Sequence, residues 1–103
     1  MVSYRDKLDI IADILMVASR KPKKTQIMYE ANLNFRVLRK YLTELSNASL
    51  ICFEDETHCY DLTLKGKTFL EAYKQYLKTN RHAEKIIGDV NFRKQTLENL
   101  LDQ

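Results

Sequence analysis

Ten positions in the last third of this 103-residue chain repeat with a spacing that only one kind of structure sustains. Phe69, Tyr73, Tyr76, Asn80, Ala83, Ile87, Val90, Lys94, Leu97 and Leu101 follow at intervals of 4-3-4-3-4-3-4-3-4, and eight of the ten are apolar. A 3-4 spacing held over more than four heptads is the signature of a coiled-coil seam. Thr63 is placed to cap a helix from Leu64 onward. If unbroken, about 38 residues at 1.5 Å rise reach roughly 57 Å, longer than the globular body before it needs. The end of such a helix has nothing in its own chain to pack on and requires a partner. Asn80 and Lys94, the polar seam positions, either set register and antiparallel orientation or mark local breaks. Gly88 is the weak point, because glycine costs about 1 kcal/mol in a helix interior. Asn80-Arg81-His82 is a second. The helix either continues through both or breaks near 80 or 88, its second half folded back or swapped onto a partner.

Gly88 is one of only two glycines; with Gly66 and the single Pro22 they are all the strong helix breakers in the chain. Glycine-rich phosphate loops are thereby excluded, and an all-β sandwich with frequent tight turns is disfavoured. Gly66, early in the last helix, reads as a close-packing position rather than a ligand site. Charge is uneven. Residues 20–40 hold seven basic residues and one acid, a local +6 on a chain of net charge +3. Such a block is the footprint of a polyanion partner, or else a solvated basic face. No apolar run is long enough to span a membrane, and charges occupy the N-terminus where a signal peptide needs an apolar core. A cytoplasmic, chromosome-associated location is the expectation. No spacing of His, Cys, Ser or carboxylates supports a catalytic group, a metal site or a cofactor site, so an enzyme is not expected.

The first two-thirds of the chain reads as three helices and a hairpin. Ser3 can cap a first helix running to about Ala18, with Asp6 in its first turn; Leu8, Ile11, Ala12, Leu15 and Ala18 keep helical spacing, widened by Ile10, Ile14 and Val17. Pro22 lies in the basic loop that ends it. Thr25 can cap a short helix over Gln26 to Ala31, with Ile27 and Met28 inward. After a three-residue turn, Asn34 caps a third helix from Phe35 to about Asn47. Leu38, Leu42 and Leu45 form one face of it, with Tyr41 beside them. Arg36, Arg39, Lys40 and Thr43 fall on the opposite face. Tyr29 and Tyr41 are expected to be core or phosphate-edge residues.

Ile51 and Phe53, then Tyr60 and Leu62, alternate with polar residues as two strands whose apolar side chains point inward. The link Asp55-Glu56-Thr57 lacks Gly, so a four-residue loop fits better than a type I′ turn. The simplest register sets 53 against 58 and 52 against 59. Cys52 and Cys59 then face the same outward side, and a cross-strand disulfide becomes geometrically conceivable.

Helix, short helix, tight turn, basic-faced helix, hairpin, helix is the order of a winged helix-turn-helix. The expected class is therefore mainly α with a small β-hairpin wing, plus a long C-terminal coiled-coil helix. Residues 1–63 form the DNA-binding domain and 64–103 the dimerisation helix. Arg36, Arg39 and Lys40 suit phosphates or guanine edges, and Thr43 suits either. The helix N-terminus capped by Asn34 can receive a phosphate. Phe35 packs as a staple or touches a thymine methyl. Lys23 and Lys24 of the basic loop, Thr25 at the cap of the second helix, and Thr57 and His58 near the tip of a wing that lies along the DNA backbone or minor groove, while the third helix enters the major groove, complete the candidate DNA contacts. Tyr73, Tyr76, Asn80, Ala83, Ile87, Val90, Leu97 and Leu101 are the candidate dimerisation residues.

Three stretches carry a resemblance. Lys24 to Leu42, reading KTQIMYEANLNFRVLRKYL, Leu50-Ile51, and Tyr60 to Leu70, reading YDLTLKGKTFL, resemble the small archaeal winged-helix DNA-binding family. That family includes ten-kilodalton proteins that dimerise through an antiparallel coiled coil. The likeness is close over roughly residues 5–78; beyond Asn80 only the architecture matches. It implies a double-stranded DNA partner, a third helix as reader and a homodimer built by the last helix. The chain departs from the family at Ala48-Ser49, where relatives commonly carry a basic residue or Gly. Transcription regulation or chromatin association is the expected role. The rival is a winged-helix protein–protein interaction adapter that does not bind DNA, for which the +6 block would be unnecessary.

Overall fold

The computed structural model describes residues 5–102. Four helices and one hairpin follow in the order α1 Lys7–Ala18, α2 Lys24–Glu30, α3 Phe35–Asn47, β1 Ile51–Glu54, β2 Cys59–Leu62 and α4 Leu64–Leu101. The chain divides into two compact units, one up to Tyr73 and one from Lys74.

In the first unit, α1 starts with a reciprocal cap. The Asp6 carboxylate accepts the Asp9 N–H at 2.9 Å, and the Asp9 carboxylate accepts the Asp6 N–H at 3.1 Å. Two orphan N–H groups are satisfied at once. The expected Ser3 cap lies outside the described residues; Asp6, expected in the first turn, is itself the cap. Ile11, Ile14, Leu15, Val17 and Ala18 then enter the core, whereas Leu8 at the helix start is exposed.

Helix α2 begins earlier than expected. Its cap position is Lys23, with no side-chain hydrogen bond, and Thr25 is an exposed residue inside the first turn. The connection to α3 is correspondingly four residues, Ala31 to Asn34, rather than three. Asn34 caps α3 as expected, its Oδ1 accepting the Val37 N–H at 2.9 Å. Ile27, Leu38, Leu42 and Leu45 join the α1 residues in one core, closed by Leu50 and Ile51.

The hairpin is in register Ile51↔Leu62, Cys52↔Asp61, Phe53↔Tyr60 and Glu54↔Cys59. Phe53 thus faces Tyr60, not His58, and Cys52 faces Asp61, not Cys59. The four-residue loop is Asp55 to His58, closed by His58 in the left-handed region (φ 56°). The two-position shift leaves both cysteines on one face but diagonal, a separation of about 7–8 Å, beyond disulfide reach. Both are free thiols, so the disulfide expectation is corrected. Ile51 is buried, but Phe53 is 44% exposed, because it lies past the edge of the core. The Pro22 loop supplies a third edge: the Tyr60 N–H donates to the Pro22 carbonyl at 2.8 Å, and Lys23 bridges to Cys59. A proline suits an edge position, where its missing N–H is not needed.

Thr63 caps α4, its Oγ1 accepting the Gly66 N–H at 3.0 Å while the hydroxyl lies 2.6 Å from the Ser49 carbonyl. Gly66 is buried where the first turn of α4 packs on Leu50 and Leu62, at the base of the hairpin. A Cβ there would stand 2.3 Å from the Leu50 carbonyl oxygen and 2.5 Å from Leu62 Cδ1. The close-packing reading of Gly66 is correct. The Tyr73 hydroxyl donates to Asp9 Oδ1, joining the last turn of this unit to the α1 cap. Helix α4 continues through Asn80 and Gly88 without a break. No helix among the described residues is long and apolar enough to cross a membrane.

Candidate nucleic-acid interface

Helix α3 separates two surfaces. Leu38, Leu42 and Leu45 are buried; Arg36, Arg39, Lys40 and Thr43 are exposed on the other side. The apolar stripe fixes the helix on the core, so the orientation of the basic stripe follows from packing alone. Among the described residues, Arg36, Arg39 and Lys40 have no carboxylate at ion-pair distance. A polyanion therefore need not displace an internal partner. The Thr43 hydroxyl donates back to the Arg39 carbonyl at 3.0 Å and keeps its acceptor capacity.

The start of α2 is tied to the start of α3. Lys24 Nζ lies 4.4 Å from the centre of the Phe35 ring, a cation–π contact, and Phe35 remains 51% exposed. Phe35 is thus a surface residue under a lysine, not a staple. Asn34 uses its side-chain oxygen on the α3 cap. Lys23 and Thr25 are exposed beside this junction. The basic block is thinned at one end, where Arg20 pairs with Glu30 at 2.6 Å. Tyr29 is exposed and Tyr41 half-buried against the core.

Two concavities flank α3. One, of about 390 Å³, lies between Lys7, Arg36, Val37, Lys40, Tyr41 and Glu44. Lys7 Nζ pairs with Glu44 at 2.6 Å, and that hydrogen bond and charge raise the lysine's pKa. Glu44 is the one acid of α3, so Lys7 cancels it and keeps the face cationic. Nothing in the sequence near α3 announces Lys7, which arrives from the first turn of α1. The other concavity, of about 310 Å³, lies between α3 and the wing: Lys24 and Arg39 supply charge, Thr43, Ser46 and Asn47 polar groups, Leu42 and Tyr60 an apolar wall. Burial pushes the Tyr60 phenol up from its usual pKa.

The wing differs in character from α3. From Ile51 to Leu62 it carries Glu54, Asp55, Glu56 and Asp61 and not one Lys or Arg. Thr57 and His58 are exposed at its tip, next to three consecutive carboxylates. Phe53 lies 5.0 Å from the ring of Tyr60, its cross-strand partner, and 6.1 Å from His58, an aromatic ledge along one face of the hairpin. The acidity was plain in the sequence, in the run Glu54-Asp55-Glu56. Among the described residues, no group of His, Cys, Asp and Glu is placed to hold a metal ion.

In the second unit every described residue from Lys78 onward is exposed, the apolar Ile86, Ile87, Val90, Leu97, Leu100 and Leu101 included. Of the candidate dimerisation residues, Tyr73 belongs to the first unit, where it meets Asp9. Tyr76, Asn80, Ala83, Ile87, Val90, Leu97 and Leu101 lie exposed along α4.

This architecture has known counterparts. The chain superposes on Sso10a-2, a DNA-binding protein from Sulfolobus solfataricus, with a TM-score of 0.77 and 26% identity, over 84% of this chain and 94% of that one. It is 39% identical over 75 residues to an uncharacterized protein of Methanocaldococcus jannaschii, MJ0290, covering 72% of this chain but 35% of that relative, so it spans about a third of the relative's length. A family model described as winged helix-turn-helix matches residues 4–81, a span that takes in the three helices, the hairpin and the first half of α4. With that match over three-quarters of its length, on three helices followed by a hairpin, the chain belongs to the winged helix-turn-helix family.

Proposed function

We propose that the protein binds double-stranded DNA as a homodimer, with α3 entering the major groove and paired α4 helices forming the dimer contact. Its setting is transcription regulation or chromosome organisation in the cytoplasm. One observation carries this reading: a cationic stripe with no carboxylate partner among the described residues, on a helix held in place by its buried opposite face. The likeness to Sso10a-2, a DNA-binding protein, supports it. Phosphate neutralisation belongs to α2 and α3 rather than to the wing, whose tip is anionic.

Affinity for duplex DNA should fall with salt at a log-log slope of about −0.9 per phosphate neutralised. Arg39→Ala combined with Lys40→Ala should weaken binding and flatten that slope by roughly 1.8 if each contacts one phosphate. The fold should be retained, because both side chains are exposed. Fluorescence anisotropy across a salt series measures both quantities. Unchanged affinity in the double variant removes α3 as the reader; salt-independent binding removes the electrostatic basis altogether. Sequencing the fragments retained at moderate salt separates the two settings: a sharp motif marks a regulator, its absence a chromosome-coating protein.

A further inference from the structure

We propose that the cleft between α3 and the wing receives an unpaired nucleotide, giving the protein a second binding mode for single-stranded nucleic acid and frayed duplex ends. This rests on the reading of α3 as a nucleic-acid face, which the cleft adjoins.

The cleft combines the groups that one nucleotide needs. Lys24 and Arg39 can meet its phosphate. Asn47, exposed at the end of α3, offers an amide donor and acceptor to a base edge. Tyr60 presents a ring, and Phe53 backs it at 5.0 Å. A volume of about 310 Å³ accommodates a nucleobase. A base inside a duplex already has both faces stacked; only an unpaired base has a free face to lay on an aromatic ring. Tyr60 packs in part against the core and lines the cleft with what it leaves exposed, while Phe53 and Asn47 are exposed beside it and duplex recognition by α3 does not call on them.

The wing also limits how much single strand is held. Beyond Tyr60 and Phe53 the tip carries Glu54, Asp55 and Glu56 with no compensating cation. A phosphate backbone running along the wing would be repelled, so the strand is gripped at the cleft and turns away. The site is a seat for one base and its phosphate rather than a track.

The experiment compares a blunt hairpin duplex, the same duplex with an oligothymidylate overhang, and oligothymidylate and oligouridylate alone, by anisotropy on the full chain. The wild type should bind the overhang duplex more tightly than the blunt one, and both single strands measurably. Tyr60→Leu keeps apolar volume but lacks a flat face; it should lose roughly tenfold on the overhang and on single strands, the scale of one base–aromatic stack. Tyr60→Phe should retain binding. Asn47→Ala, at an exposed position, should weaken the same probes without touching the core. All three variants should keep the blunt duplex within about twofold, which also reports that they fold, twofold being small beside one lost stack. Equal loss on blunt and overhang probes makes the cleft part of the duplex surface and overturns the proposal, as does a wild type indifferent to the overhang. Oligothymidylate bound without oligouridylate narrows the ligand to DNA while sustaining the seat. A wild type that ignores the blunt duplex but binds the single strands overturns the duplex reading and leaves the cleft standing.

Discussion

Among the described residues four take left-handed backbone angles, and none is glycine: Lys21 (φ 55°), Asn32 (52°), Ser49 (61°) and His58 (56°). They do what glycine does elsewhere, which explains how the chain turns so often with two glycines, both of them in α4. Asn32 and Ser49 terminate α2 and α3 in the same way. After α3 the Leu50 N–H reaches the Leu45 carbonyl at 2.9 Å and the Ser49 N–H the Ser46 carbonyl at 3.1 Å; after α2, Leu33 and Asn32 repeat this with Met28 and Tyr29. This is the Schellman arrangement, whose left-handed position favours Gly. Asn32 was legible as such a residue, since asparagine tolerates this region. Ser49 showed only as a departure from the family pattern, and His58 not at all, because histidine in a strand-like context carries no turn signal. A left-handed conformation costs an ordinary residue roughly 1–2 kcal/mol, partly offset in glycine by the entropy of its unfolded chain. Ser49→Gly should therefore stabilise the protein by up to about 1 kcal/mol, or about 4–8 °C in melting temperature for a domain of this size. Calorimetry checks it; a melting point unchanged or lowered refutes the strain assigned to Ser49.

At the scale of elements, helices were more legible than the pairing between strands. A helix declares its buried face through its own period, as Leu38, Leu42 and Leu45 do. A hairpin declares its faces but not its register: a two-position shift preserves which side each residue faces. That is why Cys52 and Cys59 were correctly set on one side and wrongly set opposite each other. The same limit applies to the candidate site. The stripe on α3 is contiguous in sequence and could be read directly, whereas Lys7 reaches it from α1 and Tyr60 reaches only the neighbouring cleft, from the wing. The Tyr73–Asp9 contact is likewise long-range, and it ties the start of α4 to the cap of α1. The Tyr73 hydrogen bond, with the Asp6 N–H, holds the Asp9 carboxyl below the usual carboxylate range. Burial and the Asp9 carboxylate push the Tyr73 phenol up to about 12. The depressed Asp9 contributes stability that is present above the ordinary carboxylate pKa and is lost as pH falls through its lowered value. The neutral Tyr73 contributes stability that is present below the ordinary phenol pKa of 10.0 and is lost as pH rises toward about 12. Tyr73→Phe should flatten both limbs, lowering stability most on the plateau between them. Urea unfolding at a series of pH values measures this; identical profiles for variant and wild type would show that the contact couples nothing.

The whole molecule joins a unit that has a core to a unit that has only a stripe. The described residues up to Tyr73 bury twelve apolar side chains in one cluster. From Lys74 onward the chain is a single helix, and single helices in water are marginal unless an apolar face is covered. Gly88 sharpens the point: a Cβ there would meet nothing within 4 Å, so no close approach within the chain accounts for its helix cost. The continuity of α4 through Gly88 therefore argues for support from outside the chain, and the 3-4 stripe of Ile87, Val90, Leu97 and Leu101 is the surface on which a second copy would supply it. Ile87→Lys with Val90→Lys places like charges in the middle of that seam. The wild type should sediment as a dimer and melt at a temperature that rises with protein concentration. The double variant should sediment as a monomer and lose helical signal from the second unit. The first unit should then melt at a temperature independent of concentration, because its core contains no residue of the seam beyond Tyr73. Duplex affinity should fall as well, since one α3 then acts without its partner. A wild type that sediments as a single chain at micromolar concentration would leave the stripe without its proposed occupant, and α4 would have to owe its stability to a different protein.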